Sequence, residues 1–96
     1  MIFGNSIRKL REKKGLLLRQ LAAKLEVDTA TISKIERGTR CAKKEQLIKL
    51  SKILETPYNQ LETLWLADKL YGIIEYEENG LQALKLAEQE VKYKSV

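Results

Sequence analysis

Apolar residues recur along this chain with the period of a helix. Leu18, Leu21, Ala22 and Leu25 fall at i, i+3, i+4 and i+7, the single apolar stripe of a short amphipathic helix, while Arg19, Gln20, Ala23 and Lys24 lie off it. Val27 follows as an apolar plug in a turn. Asp28 suits an N-cap, because its carboxylate can accept from the free amides of the next turn. Ile32 and Ile35 keep a second helix on the core, with Ala30 or Thr31 near its edge, until Gly38 offers the left-handed stop. The same period predicts a first helix over about 4–14, with Ile7 and Leu10 inward and Gly15 as its stop, and a fourth over about 43–54 on Leu47, Leu50, Ile53 and Leu54. Thr56-Pro57 then breaks the chain, and proline suits the opening turn of a fifth helix over about 58–75; Asn59 is an alternative cap. No period-2 run of β-branched residues bounded by turns occurs, so the fold class is all-α: a bundle of five helices with a sixth at the C-terminal end.

The fifth helix carries too much apolar surface for one face. Leu61, Leu64 and Trp65 form a stripe that closes the five-helix core, while Leu66, Leu70, Ile73 and Ile74, with Tyr71 between, form another that needs a separate partner. Glu75 to Gly80 is a polar, acidic break with Asn79-Gly80 as its turn signal. A sixth helix over about 81–93 places Leu81, Leu84, Ala87, Glu88 and Val91 at helical spacing, with Leu86 adding width. The expectation is that this helix folds back on the second stripe and that the pair offers a dimer surface made of Leu66, Leu70, Tyr71, Ile73, Ile74, Leu84 and Val91. Tyr93 to Val96 read as a frayed end.

The outward face of the third helix is unusual. Thr29, Ala30, Thr31, Ser33, Lys34 and Arg37 remain after the core positions are removed. A solvated face more often carries Glu, Lys and Gln; short Thr, Ala and Ser side chains let a helix approach base edges closely, hydrogen-bond them or touch a thymine methyl. Basic residues cluster just beyond, at Arg37, Arg40, Lys43 and Lys44. Two helices, a tight turn and such a cluster are how a protein presents a helix to the major groove of double-stranded DNA. Thr29, Ala30, Thr31, Ser33 and Lys34 are the candidate base contacts. Arg37, Arg40, Lys43 and Lys44 are candidates for phosphates, as are Arg19 and Gln20.

Charge supports the division. Residues 1–56 hold 14 Lys and Arg against 6 Asp and Glu, a net of +8; residues 57–96 hold 4 against 7, a net of −3, and the whole chain is +5. The basic part coincides with the two-helix unit, as for a surface that meets phosphates. Arg8, Lys9, Lys13, Lys49 and Lys52 read equally well as solubilising charges. With 96 residues the chain reads as one domain, 1–56 its basic DNA-binding part and 57–96 its C-terminal helices for dimerisation.

Several function classes drop out. The chain has no histidine and one cysteine, Cys41, so histidine-based catalysis, an internal disulfide and a zinc site all lack their residues. Cys41 reads as a plain loop residue, and Glu75, Glu77 and Glu78 as a solvated turn. No paired carboxylates, activated nucleophile or glycine-rich phosphate loop is present; no enzyme, metal, cofactor or small-molecule ligand is expected. No apolar run approaches the roughly 20 residues of a membrane span and the first residues lack a signal-peptide pattern, so a cytoplasmic protein is expected.

The segment Leu21, Ala22, Leu25, Val27, Ile32, Ser33, Ile35, Glu36, Gly38 resembles the helix-turn-helix of the Cro and phage-repressor (XRE) family, and Ile7 to Gly15 resembles that family's first helix. The likeness covers roughly residues 3–66 and implies a lambda-repressor-like bundle. It also implies a transcriptional regulator that binds palindromic operators as a homodimer, its paired recognition helices about 34 Å apart. Two features depart from the family: Leu17 and Leu18 stand where it usually opens its second helix with Thr-Gln, and Glu26 where its turn often has Gly. A non-glycine residue in a left-handed turn costs about 1 kcal/mol. The small size without a sensing domain resembles the controller proteins of restriction-modification systems, with phage-type repressors and other autoregulators as alternatives. A reading from another class is an antitoxin that binds DNA with the same half and clamps a toxin protein with its C-terminal helices.

Overall fold

Five helices enclose the core that the apolar stripes predict, and a sixth leaves it. The computed structural model describes residues 2–95, with side chains from 2 to 94. Its elements are α1 (Ile2–Lys13), α2 (Leu18–Leu25), α3 (Thr29–Arg37), α4 (Lys44–Ile53), α5 (Tyr58–Ile74) and α6 (Gly80–Ser95); no strand occurs among the described residues. Ile7, Leu21, Leu25, Ile32, Ile35, Leu47, Leu50 and Leu61 are the fully buried centre, with Phe3, Ala22, Ala42, Leu54 and Trp65 around them. Ile53 and Leu64, both expected inside, are half-buried against this core, as are Leu10, Leu18 and Val27. α1 packs on α3 and α5, α2 on α3 and α4, and α4 on α5.

α1 begins two residues earlier than its periodicity suggests, because α5 caps it. Both oxygens of Asp68 accept from its first amides, Ile2 N–H and Phe3 N–H, each at 2.8 Å. A remote carboxylate satisfies donors that a helix start leaves orphaned, and this brings Phe3 into the core. Gly15 (φ +71°) and Gly38 (φ +79°) terminate α1 and α3 in the left-handed region, where glycine carries no Cβ penalty. Pro57 sits at the N-cap of α5, one position ahead of its first helical turn.

Gly4 fixes how closely α1 approaches α3. A Cβ there would stand 2.5 Å from the carbonyl oxygens of both Ile35 and Glu36. Those oxygens belong to helix backbone and cannot swing aside, so Gly4→Ala must push the two helices apart. Overpacking of this kind costs about 1–3 kcal/mol. A lowered urea midpoint with an unchanged slope is the expected result; an unchanged midpoint would show that α1 slides freely on α3.

The last helix corrects the sequence expectation. α6 does not cover the second stripe of α5. Every described side chain from 81 to 94 is exposed, and Leu66, Leu70 and Ile73 remain 47%, 48% and 71% exposed. The two helices meet at their turn, where a Cβ on Gly80 would lie 2.7 Å from the Ile74 carbonyl oxygen and 3.0 Å from the Ile74 Cβ. Gly80 is thus less a turn residue than the first residue of α6, kept small so that the chain can double back against Ile74. From there α6 runs through Ser95, past the expected fraying point at Tyr93; Val96 lies outside the described residues. The α5–α6 arm gives the molecule a radius of gyration of 15.1 Å and a long dimension of 42 Å, where a compact chain of this length has a radius of about 12–13 Å.

Candidate nucleic-acid interface

The two helices of the unit are set by their caps. Leu17, at the N-cap of α2, has no side chain to offer, but its amide donates to Gln20 Oε1 at 2.8 Å. α4 opens in the same way, Lys43 N–H donating to Gln46 Oε1 at 2.8 Å. Gln20, a sequence candidate for phosphate, closes α2 with its Oε1; a phosphate contact would use its Nε2 donors instead. Glu26 takes the left-handed conformation (φ 63°, ψ 41°) at the C-cap of α2, as its place in the turn requires. Asp28 Oδ1 accepts from the Thr31 amide at 2.7 Å. Hydrogen bonds from the Thr31 side chain and amide, with the charges of Arg40 and Lys34, hold the Asp28 carboxyl below its ordinary range.

Winding at about 100° per residue puts Thr29, Ser33, Arg37, Ala30 and Lys34 in one arc of about 140° on α3. Thr29, Ala30, Lys34 and Arg37 are exposed and Ser33 half-buried, while Ile32, Ile35 and Glu36 face the core. Thr31 stands about 60° beyond Lys34, half-buried, its amide donating to Asp28 Oδ1. The structure thus gathers four of the five proposed base contacts on one face and places the fifth at its flank.

The loop after α3 carries the phosphate candidates. Gly38, Thr39 and Arg40 fold back over the helix end, donating to the carbonyls of Ile35 (3.1 Å) and Lys34 (3.0 and 3.3 Å). The Trp65 indole N–H donates to the Ala42 carbonyl at 2.7 Å, fixing the loop to α5. Arg37, Arg40 and Lys43 are exposed, and among the described residues no salt bridge holds them, nor Lys34 and Arg19. Lys44 differs: its ammonium lies 3.7 Å from Glu62 on α5, turned toward the body. Cys41 is an exposed free thiol in this loop, and no cluster of potential metal ligands occurs among the described residues.

Four residues, Glu36, Arg11, Trp65 and Asp68, support this face in roles that their sequence positions do not announce. Glu36 is 7% exposed, and its carboxylate takes Arg11 Nε at 2.7 Å and Arg11 Nη2 at 3.1 Å. Arg11 Nη1 also donates to the Leu16 carbonyl at 2.9 Å. One guanidinium therefore joins α1, the α1–α2 loop and the end of α3. The signal was in the phase: Glu36 continues the Ile32–Ile35 stripe and Arg11 lies four residues from Ile7, so both charges occupy inward positions. Asp68 and Trp65 are the other anchors, three residues apart on α5.

The expected dimer residues lie on more than one face. Leu66, Leu70 and Ile73 share a stripe, but Tyr71 projects about a third of a turn away, where it lines a groove of about 520 Å³ with Phe3, Gly38, Cys41 and Gly72. Ile74 is half-buried against Gly80. Leu84 and Val91 are 37% and 65% exposed on α6.

Comparison with known proteins agrees with this geometry. A helix-turn-helix family model (HTH_3) matches residues 7–61. Two proteins of Bacillus subtilis (strain 168) are each 43% identical over 60 residues, 62% of this chain: the uncharacterized HTH-type transcriptional regulator RghRB and the HTH-type transcriptional repressor RghR. The matched segment is 43% and 44% of their lengths, so the likeness spans less than half of these relatives. A chain of a SinR protein/SinI protein complex superposes with a TM-score of 0.56 at 27% identity, covering 98% of this chain and 99% of that one.

Proposed function

The chain belongs to the helix-turn-helix family, and on that premise we propose that it is a sequence-specific DNA-binding regulator of transcription, working in the cytoplasm as a homodimer on a palindromic operator. The observation that carries the reading is the exposed arc of Thr29, Ser33, Arg37, Ala30 and Lys34, bordered by Arg40 and Lys43, on a helix whose opposite side is locked into the core. Small side chains admit α3 to the major groove, where Thr29, Ala30, Ser33 and Lys34 reach base edges with Thr31 at the flank. Arg37, Arg40 and Lys43 hold phosphates and set its register. Arg19 at the start of α2 adds a backbone contact. One short helix reads few base pairs, and a two-fold pair reading half-sites about one helical turn apart supplies the remainder. Leu66, Leu70, Ile73, Leu81, Leu84 and Val91, each more than a third exposed, offer the surface for pairing. The likeness to an HTH-type transcriptional regulator and an HTH-type transcriptional repressor supports control of a promoter, and control of restriction-modification genes stays within this proposal.

Selection of bound duplexes from a random library at about 0.15 M salt tests the reading. A palindrome with half-sites one turn apart is expected, while weak unselective binding would overturn it. On the recovered operator, Lys34→Ala should change the preferred bases. Arg40→Ala should weaken all sequences by a similar factor. Identical profiles for both variants and the wild type would remove the assignment of this face.

One observation favours a second reading, in which the arm holds a different protein, as an antitoxin holds its toxin: the solved neighbour that spans nearly the whole chain comes from a complex of two proteins. The mass of the purified chain separates the two. A stable dimer supports self-pairing, and a monomer supports a heterologous partner.

A further inference from the structure

The root of the α5–α6 arm is tied to the DNA-reading half at two points, three residues apart on α5. Trp65 holds the Ala42 carbonyl in the loop that carries Arg40 and Lys43. Asp68 holds the first two amides of α1. α1 is in turn fastened to α3 twice, by the close seat of Gly4 on the Ile35 and Glu36 carbonyls and by the Arg11–Glu36 pair. α1 therefore acts as a strut between the arm and the recognition helix. Beyond Asp68 the same inward phase of α5 reaches Gly72, around which nothing lies within 4 Å of a Cβ position. The body has ended there, and Asp68 stands at the boundary between packed and projecting helix.

Resting on the reading of a dimer that binds two half-sites, we propose that Asp68 is a positioning residue for DNA recognition: by capping α1 it fixes the angle of the arm to α3 and so the half-site spacing that the dimer accepts. The carboxylate touches no DNA. The hydrogen bonds from Ile2 and Phe3 resist rotation of α5 about the hydrophobic contact at Leu61 and Trp65, because turning α5 would pull the carboxylate oxygens off the α1 amides. Apolar packing alone is non-directional and leaves that rotation softer.

Two measurements test this. The first is affinity for duplexes bearing the selected half-site once, or twice at centre-to-centre separations varied by single base pairs. The wild type should favour one separation by about tenfold, within the range of ordinary coupling between sites. Asp68→Ala should bind a single half-site as the wild type does and flatten the spacing preference to about twofold. Asp68→Asn, which keeps one acceptor, should fall between. The second is the distance distribution between spin labels at Cys41 and at Tyr93→Cys, in protein diluted with unlabelled chain so that only distances within one molecule are read. Asp68→Ala should broaden it. An unchanged preference and an unchanged distribution overturn the proposal, as does an equal loss on one and two half-sites, the mark of a merely structural role. If Asp68→Ala does not fold, an Asp68→Asn variant indistinguishable from wild type is the refuting result. Should the wild type select no sequence, the functional reading fails separately, and the label distances alone decide whether Asp68 sets the arm.

Discussion

Arg11→Ala is expected to lower the stability of the fold by about 3 kcal/mol, the lower end of the range for removing one member of a buried ion pair. The lower end applies because one edge of the Arg11 side chain, 13% exposed, reaches the surface. The Glu36 carboxyl group would be left in the core with both guanidinium donors gone, and the Leu16 carbonyl would lose its partner as well. For a chain of this size each 1 kcal/mol shifts the melting temperature by about 4–8 °C, so a drop of more than about 10 °C is expected, with a lower urea midpoint at unchanged slope. The paired change Arg11→Met with Glu36→Leu removes both charges together and should recover much of the loss, since well-packed apolar replacements of buried pairs are often neutral. A single variant as stable as wild type would show that water reaches Glu36 and that the bidentate contact is incidental.

This pair also shows where the chain was legible and where it was not. The apolar stripes of α2, α3 and α4 are narrow and regular, and their boundaries, the Asp28 cap and the Gly38 stop could be read directly. Glu36 lies in the stripe of α3, and Arg11 in the matching stripe of α1. Each alone looks like a surface charge, and only the packing of α1 across α3 brings them together. Asp68 is harder still: its partners are backbone amides 65 and 66 residues away, which carry no side-chain signature. Its effect, an earlier start to α1 and the burial of Phe3, could not be inferred from the first helix itself.

The C-terminal end differs in the opposite sense. Hydrophobic spacing in α6 shows that an apolar face exists but not what covers it. For one isolated chain, folding back on α5 is the economical way to cover that face. The observed turn instead uses Gly80 to seat α6 against Ile74 and leaves Leu66, Leu70 and Ile73 open. An apolar surface left open on both helices of an arm is what a reciprocal partner would bury. About 800 Å² per partner suffices for a standard interface. At the DNA face the outward arc was legible because it is what remains once the core is assigned. Thr31 stands apart from that arc by helical phase alone, in keeping with the edge position the spacing gives it.

The largest effect on binding is expected when Arg37, Arg40 and Lys43 are all changed to alanine. These cations follow one another around the end of α3, are exposed, and have no acidic partner within salt-bridge distance among the described residues, unlike Lys44 beside Glu62. If each neutralises one phosphate in each subunit, a dimer loses six contacts. The slope of log affinity against log salt should then become shallower by about 5. Extrapolated from molar salt, where counterion release no longer favours binding, the same loss weakens the complex by about four orders of magnitude at 0.15 M. The bases preferred at the operator should stay the same, because phosphate contacts position the helix without reading sequence. Lys44→Ala alone should change the slope little, its charge being already engaged. Titrations of wild type and both variants at four or five salt concentrations on one operator duplex provide the check. A triple variant with the wild-type slope would move the phosphate-binding surface elsewhere on the basic half, and Arg19 with the other exposed cations of α1 and α2 would become the surface to test.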